Sequence, residues 1–219
     1  MDQSQLINDY LMKARDDIRL LDPFYATARM NGQFQIQLRE GERLREEMIT
    51  VGSPVVLPLL RAVPAKLRNV RPNAVLTEGF VLGYGQTATA NARDLVETLG
   101  AAARRPLIEG TADSSAVVRA LSAHFLAFKN VEDAGAILRV EQLFSSEPIE
   151  VARIAAGVTL LVSEHTTENG WESAMSALVA WADRQVPGWK RLGRDAVDAL
   201  PIAFIGLMPG LLIEQSRAE

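Results

Sequence analysis

Apolar positions recur at helical spacing along almost the whole chain. Leu6, Ile7, Tyr10, Leu11, Ile18 and Leu21 share one face at the helical period, which predicts an amphipathic helix over 3–21. Asp22-Pro23 ends it, because the residue before a proline is pushed out of the α region. From about residue 37 the same spacing returns in pairs of segments separated by short polar breaks. The first pair is 37–49, with Leu38, Leu44 and Met48 apolar, and 54–68, with Val55, Val56, Leu59, Leu60 and Val63 as the buried stripe. Ser53 is placed to cap the second of these, and Pro54 suits its first position. Further pairs fall at 73–84 and 89–108, at 114–129 and 131–144 with Asp113 or Ser114 as cap, and at 149–163 and 169–186. The last of these is entered at Glu147-Pro148 and turned at Asn169-Gly170, and a fifth pair covers 189–200 and 202–214.

Between the first helix and these pairs, residues 24–38 admit two readings. Asn31-Gly32 suits a type I′ turn, and Phe34, Ile36 and Leu38 alternate with glutamines, so a β-hairpin fits. The competing reading is a short helix with Asp22 as N-cap, Pro23 in its first turn and Asn31-Gly32 as C-cap.

The first helices of the pairs begin near residues 37, 73, 114, 149 and 189. A recurrence of roughly 38 residues, one helix pair per unit, is the pattern of an α-solenoid. Two stretches share local wording. Pro148-Ile149-Glu150-Val151-Ala152-Arg153-Ile154-Ala155-Ala156-Gly157 is echoed by Asp113-Ser114-Ser115-Ala116-Val117-Val118-Arg119-Ala120-Leu121, with Arg119 on Arg153 and Val117 on Val151 at an offset of 34. This wording resembles the first helix of a HEAT repeat, and Val51-Gly52-Ser53-Pro54-Val55-Val56 resembles the turn and second helix of the same unit. The pair at 73–84 departs from it, since Leu76-Thr77-Glu78-Gly79 stands where Val-x-Arg is expected. The resemblance covers about residues 37–186. It implies an all-α fold: a right-handed α-solenoid of about 4–5 HEAT-like helix pairs, with a small N-terminal hairpin if that reading holds. Residues 1–219 are then one domain, divided into 1–36, the repeats at 37–186 and capping helices at 187–219.

Composition narrows the chemistry. The chain has 219 residues, 48% of them hydrophobic, and no cysteine, which removes thiolate metal sites, disulfides and cysteine nucleophiles. Only His124 and His165 are available as imidazole ligands, and Glu164-His165 are adjacent, so they project to different sides of a helix. No metal or other cofactor is expected. No Ser–His–Asp arrangement or phosphate-binding glycine loop is legible, and Gly83-Tyr84-Gly85 lacks the strand and the further glycine such a loop needs. His124, between Leu121, Phe125 and Phe128, reads as a core or groove histidine bonded to a backbone carbonyl, and His165 as a surface residue. Enzymatic activity is not expected.

The net charge of −4 is unevenly distributed. Residues 51–108 carry seven basic and three acidic side chains, and residues 109–183 carry four basic and eleven acidic. Arg61, Lys66, Arg68 and Arg71 lie in a window without acids, and Arg104 and Arg105 extend the patch. Such a patch suits an acidic partner or a phosphate backbone. Trp171, Trp181 and Trp189 fall in the acidic part of the chain, where packing or a partner-facing groove is the simpler reading. Residues 199–213 are uncharged and broken by Pro201 and Pro209, too short for a membrane span. They read either as a helix folded back on the last pair or as a self-association patch built on Ile202, Phe204, Ile205, Leu207, Met208 and Leu211. The N-terminus lacks a basic and apolar leader, so a cytoplasmic location is expected.

The expected function is a non-catalytic protein-interaction scaffold or adaptor that holds a protein partner along its concave face, with homo-oligomerisation through the C-terminal segment as a further expectation. The alternative is a nucleic-acid binder, or an enzyme like the DNA glycosylases built on HEAT-like scaffolds.

Overall fold

The computed structural model of the chain describes residues 2–12, 32–67, 87–185, 201, 204 and 211–219. The described residues are helical or in turns, with no strand among them. In chain order they form α1 (Gln3–Met12), α2 (Gly32–Val51), a 3-10 turn (Ser53–Val55), α3 (Val56–Leu67), α4 (Thr87–Leu99) and a second 3-10 turn (Gly100–Ala103). There follow α5 (Arg104–Gly110), α6 (Ala116–Leu126), α7 (Ala134–Ser146), α8 (Glu150–Val162) and α9 (Glu168–Gln185). Residues 211–218 are helical as well.

The hairpin is overturned. Residues 33–38, its second strand, lie inside α2, which begins at Gly32; the competing short helix before it lies outside the described residues. Six alternating residues are a weak strand signal beside a long helical pattern, and extending an existing helix costs far less than nucleating a new element. Glutamine is also a good helix former, so the intervening polar positions favour the helix. Residues 24–31 lie outside the described part, as do 73–84 and 189–200.

The breaks between helices differ from expectation in instructive ways. Gly52, with φ 76, stands at the N-cap of the 3-10 turn, and Ser53 makes no cap hydrogen bond. The segment 89–108 is three elements, because Gly100 adopts φ 54 and ends α4. At α6 the N-cap is Ser115, whose hydroxyl accepts from Val118 N at 3.4 Å, while Asp113 Oδ1 accepts from Ser115 N at 3.0 Å. Asn169-Gly170 falls in the first turn of α9, where Gly170 N donates to the Thr167 hydroxyl at 3.1 Å.

The described members of the apolar stripes are buried as their spacing predicts, while Ile18, Leu21 and the side chain of Leu38 lie outside the described residues. Leu6, Ile7, Tyr10 and Leu11 of α1, Leu44 and Met48 of α2, and Val56, Leu59, Leu60 and Val63 of α3 all belong to the core. α1 packs against α2, α3 and α4, and Tyr10 locks it there. The Tyr10 hydroxyl donates to Asn91 O at 2.9 Å, and Asn91 Nδ2 donates back to Tyr10 O at 2.8 Å.

α4 packs on α3 and on the two helices before it, and the later helices pack among themselves. α3 packs on α5 and α6, α5 on α6 and α7, α6 on α7 and α8, and α8 on α7 and α9. α8 is enclosed on nearly all sides: Val151, Ala152, Ile154, Ala155, Ala156, Gly157, Val158, Thr159 and Leu160 are buried. Its small residues let neighbours approach closely. A Cβ at Gly157 would lie 3.1 Å from the Phe144 ring of α7. The buried Thr159 hydroxyl lies 3.0 Å from both Ala155 O and Ala123 O, which ties α8 to α6.

Candidate interaction surface

The basic patch proposed from the sequence is divided between the described and undescribed residues, and its described arginines are engaged. Arg61 Nε donates to Asp113 Oδ2 at 2.7 Å. Arg104 is spent on the α6–α7 loop: its guanidinium donates to Val131 O at 2.5 Å and pairs with Asp133 at 2.7 Å. Arg105 stays 90% exposed, with Glu109 one turn along at 3.1 Å. Lys66 is partly buried at the end of α3, and Arg68 and Arg71 lie outside the described residues. Arg61, Arg104 and Arg105 therefore meet acids of the following segment, so the two charge blocks partly neutralise each other.

An ordered charge network joins the turns that enter α6 and α8, and sequence reasoning missed it. Glu147 is buried, yet ionised pairing compensates for its desolvation. Arg119 grips it with two hydrogen bonds, Nε to Oε2 at 2.6 Å and Nη2 to Oε1 at 2.9 Å. Glu147 Oε1 also accepts from Ile149 N at 2.9 Å. The third nitrogen of Arg119 donates to Asp113 O at 2.8 Å and Ser114 O at 3.0 Å. Asp113 repeats the motif, with one oxygen on Ser115 N and the other on Arg61. Each acid thus closes the turn two residues ahead of it and receives the Nε of an arginine from an earlier helix. Burial alone would raise both carboxyls; the hydrogen bonds and arginine charges outweigh it and hold both below the ordinary carboxylate range. The hydrogen bond to Glu147 leads the causes that raise Arg119. The offset of 34 between Asp113 and Glu147 was present in the sequence as the offset between Arg119 and Arg153.

Glu219 joins the same region. Its side chain accepts from Ala116 N at 2.7 Å and from the Ser115 hydroxyl at 2.6 Å, so residues 211–219 end at the start of α6. Phe204 is fully buried and meets Trp181 edge-on with ring centres 5.2 Å apart. Phe204 therefore has no surface to give to self-association. Leu211 is partly buried, Leu212 and Ile213 are core, and Ile202, Ile205, Leu207 and Met208 lie outside the described residues.

Of the tryptophans, Trp181 is core and Trp171 is 44% exposed near the start of α9; Trp189 lies outside the described residues. Leu138 on α7 is 56% exposed. His124 packs on Phe125 and edge-on to Phe128, and Arg93 lies over the Phe128 ring at 5.4 Å. The expected backbone partner for its ring is not found among the described residues. Burial, with a smaller contribution from the Arg93 charge, lowers its pKa to about 4. His165 is exposed in the turn before α9.

No group of three or more His, Asp or Glu side chains among the described residues is arranged to hold a metal ion. No single described helix is long and apolar enough to cross a membrane. Compared with known proteins, the chain matches no family model, no curated protein and no solved structure.

Proposed function

We propose that the chain is a non-catalytic interaction scaffold: a right-handed, HEAT-like α-solenoid that holds a protein partner along the face lined by the second helices of its pairs. The observation that carries this reading is the turn motif repeated at an offset of 34, an acid closing the turn and an earlier arginine on that acid. A recurring junction between successive helix pairs is what stacked repeats require. In this reading α6 and α8 are first helices and α7 and α9 second helices. The exposed Leu138 and Trp171 then stand on second helices, where a partner segment would bury them. Exposed aromatic and aliphatic side chains on a rigid support are the usual anchors of such contacts.

The test is affinity capture with the wild-type protein and with Leu138→Glu and Trp171→Ala, in moderate salt and with nuclease. The expected result is one protein recovered in near-stoichiometric amount by the wild type and lost with either variant, while both variants keep the wild-type circular dichroism and melting temperature. Equal recovery by all three proteins sinks the second-helix face. Recovery of nucleic acid alone, in the absence of nuclease and with steep salt dependence, replaces this reading with the nucleic-acid one.

A further inference from the structure

The charge network along the turns has a cation too many. Arg61 gives its Nε to Asp113, and Arg119 gives its Nε to Glu147. Arg153 occupies in α8 the register that Arg119 occupies in α6, 34 residues on. Its Nε is shielded from solvent and has no hydrogen-bond partner, although the side chain as a whole is only partly buried. Among the described residues it makes no ion pair. The neighbouring acids are committed: Glu147 to Arg119, and Glu150 to Arg184 of α9. Leaving an Nε–H shielded from water without an acceptor is unfavourable, and arginine's planar fork is the group best matched to a carboxylate.

We propose that Arg153 is a receiving site for one carboxylate, an aspartate or glutamate side chain supplied by a bound protein segment. This extends the scaffold reading above and rests on it. The carboxylate takes the Nε edge of the guanidinium, as Glu147 takes that edge of Arg119, after a rotation of the Arg153 side chain that turns it outward. Charge complementarity favours a single acid over a polyanion. Arg119–Glu147 and Arg184–Glu150 are neutral pairs, so Arg153 leaves one positive charge at this edge, inside a segment that is otherwise acidic. A phosphate backbone would bring repeated negative charge against the exposed carboxylates of the same segment.

The experiment follows the Arg153 Nε–H resonance in the full chain during titration with a blocked Ala-Asp-Ala tripeptide, with Ala-Asn-Ala at equal ionic strength as control. A saturable shift at millimolar peptide is expected with Asp and not with Asn. No saturable shift overturns the proposal. The second measurement is thermal unfolding of Arg153→Met and Arg119→Met. Arg153→Met is expected to melt within about 2 °C of wild type, because it removes an unpaired charge, whereas Arg119→Met falls by about 8 °C or more. If Arg153→Met melts as low as Arg119→Met, Arg153 is already paired within this chain and the proposal falls. A captured partner that binds Arg153→Met as tightly as wild type also overturns it. That outcome leaves the scaffold reading standing, since Leu138 and Trp171 test the scaffold separately.

Discussion

At the residue scale, Arg119 and Glu147 form the most buried ion pair among the described residues. The Glu147 side chain is 2% exposed and that of Arg119 15%, so removing one partner leaves the other charge or dipole without compensation. Arg119→Met is expected to cost about 3–5 kcal/mol in chemical denaturation, and the double variant Arg119→Met/Glu147→Leu should recover a large part of that loss. Acid should act through the same residues. The carboxyls of Asp113 and Glu147 have pKa values lowered on folding, so their contribution is present above the unfolded carboxylate range and is lost as pH falls through their folded values. His124 moves stability in the same direction for a different reason. Its folded pKa is about 4 against 6.5 unfolded, so between those values the unfolded chain binds the extra proton and stability falls as pH drops. The full shift corresponds to at most about 3 kcal/mol, as the ring retains some solvent contact. Unfolding free energy measured from pH 8 to 4 should therefore decline below pH 6.5, and His124→Phe should flatten the upper part of that decline.

At the scale of elements, glycines decide how closely helices meet and where they end. A Cβ at Gly110, the last residue of α5, would collide with the Ser122 hydroxyl of α6. That hydroxyl is itself buried without a hydrogen-bond partner, so it contributes bulk and an unmet polar group at the α5–α6 contact. Gly110→Ala is expected to destabilise by about 1–3 kcal/mol, and adding Ser122→Ala should restore most of it. Ser122→Ala alone should be neutral or stabilising in the same denaturation experiment. Gly52 offers the contrasting case. Space for a Cβ is open there, the nearest atom being Ile49 O at 3.9 Å, but its φ of 76 and ψ of −150 belong to a region that L side chains rarely adopt. Gly52→Ala should cost about 1–3 kcal/mol through backbone strain alone, with no rescue from any neighbour's truncation. The two glycines separate crowding from conformation as the cause of a helix junction.

For the whole molecule, the C-terminal segment is the informative part. Phe204 is fully buried on Trp181, Leu212 and Ile213 are core, and Glu219 reaches the start of α6. Phe204→Lys should therefore lower the melting temperature sharply and leave no folded monomer to compare by sedimentation. A variant that stays folded while an oligomer dissociates would place Phe204 at an interface between copies instead.

The sequence by itself determined what depends on neighbours along the chain. Periodicity placed the buried stripes of α1 and α3, because a helix face follows from spacing alone. The offset of 34 was legible because Arg119 and Arg153 sit in matching local wording. The hairpin failed, and the helix over 89–108 broke at Gly100, because six alternating residues or one glycine cannot reveal which conformation a helical neighbourhood will extend or interrupt. The tertiary structure alone decided which charges are available. Arg61, Arg104 and Arg119 look alike as a list of cations, yet each is neutralised by an acid 28–52 residues away. Their state depends on which turn each helix face meets, and that is set by packing between helices rather than by the order of residues within one.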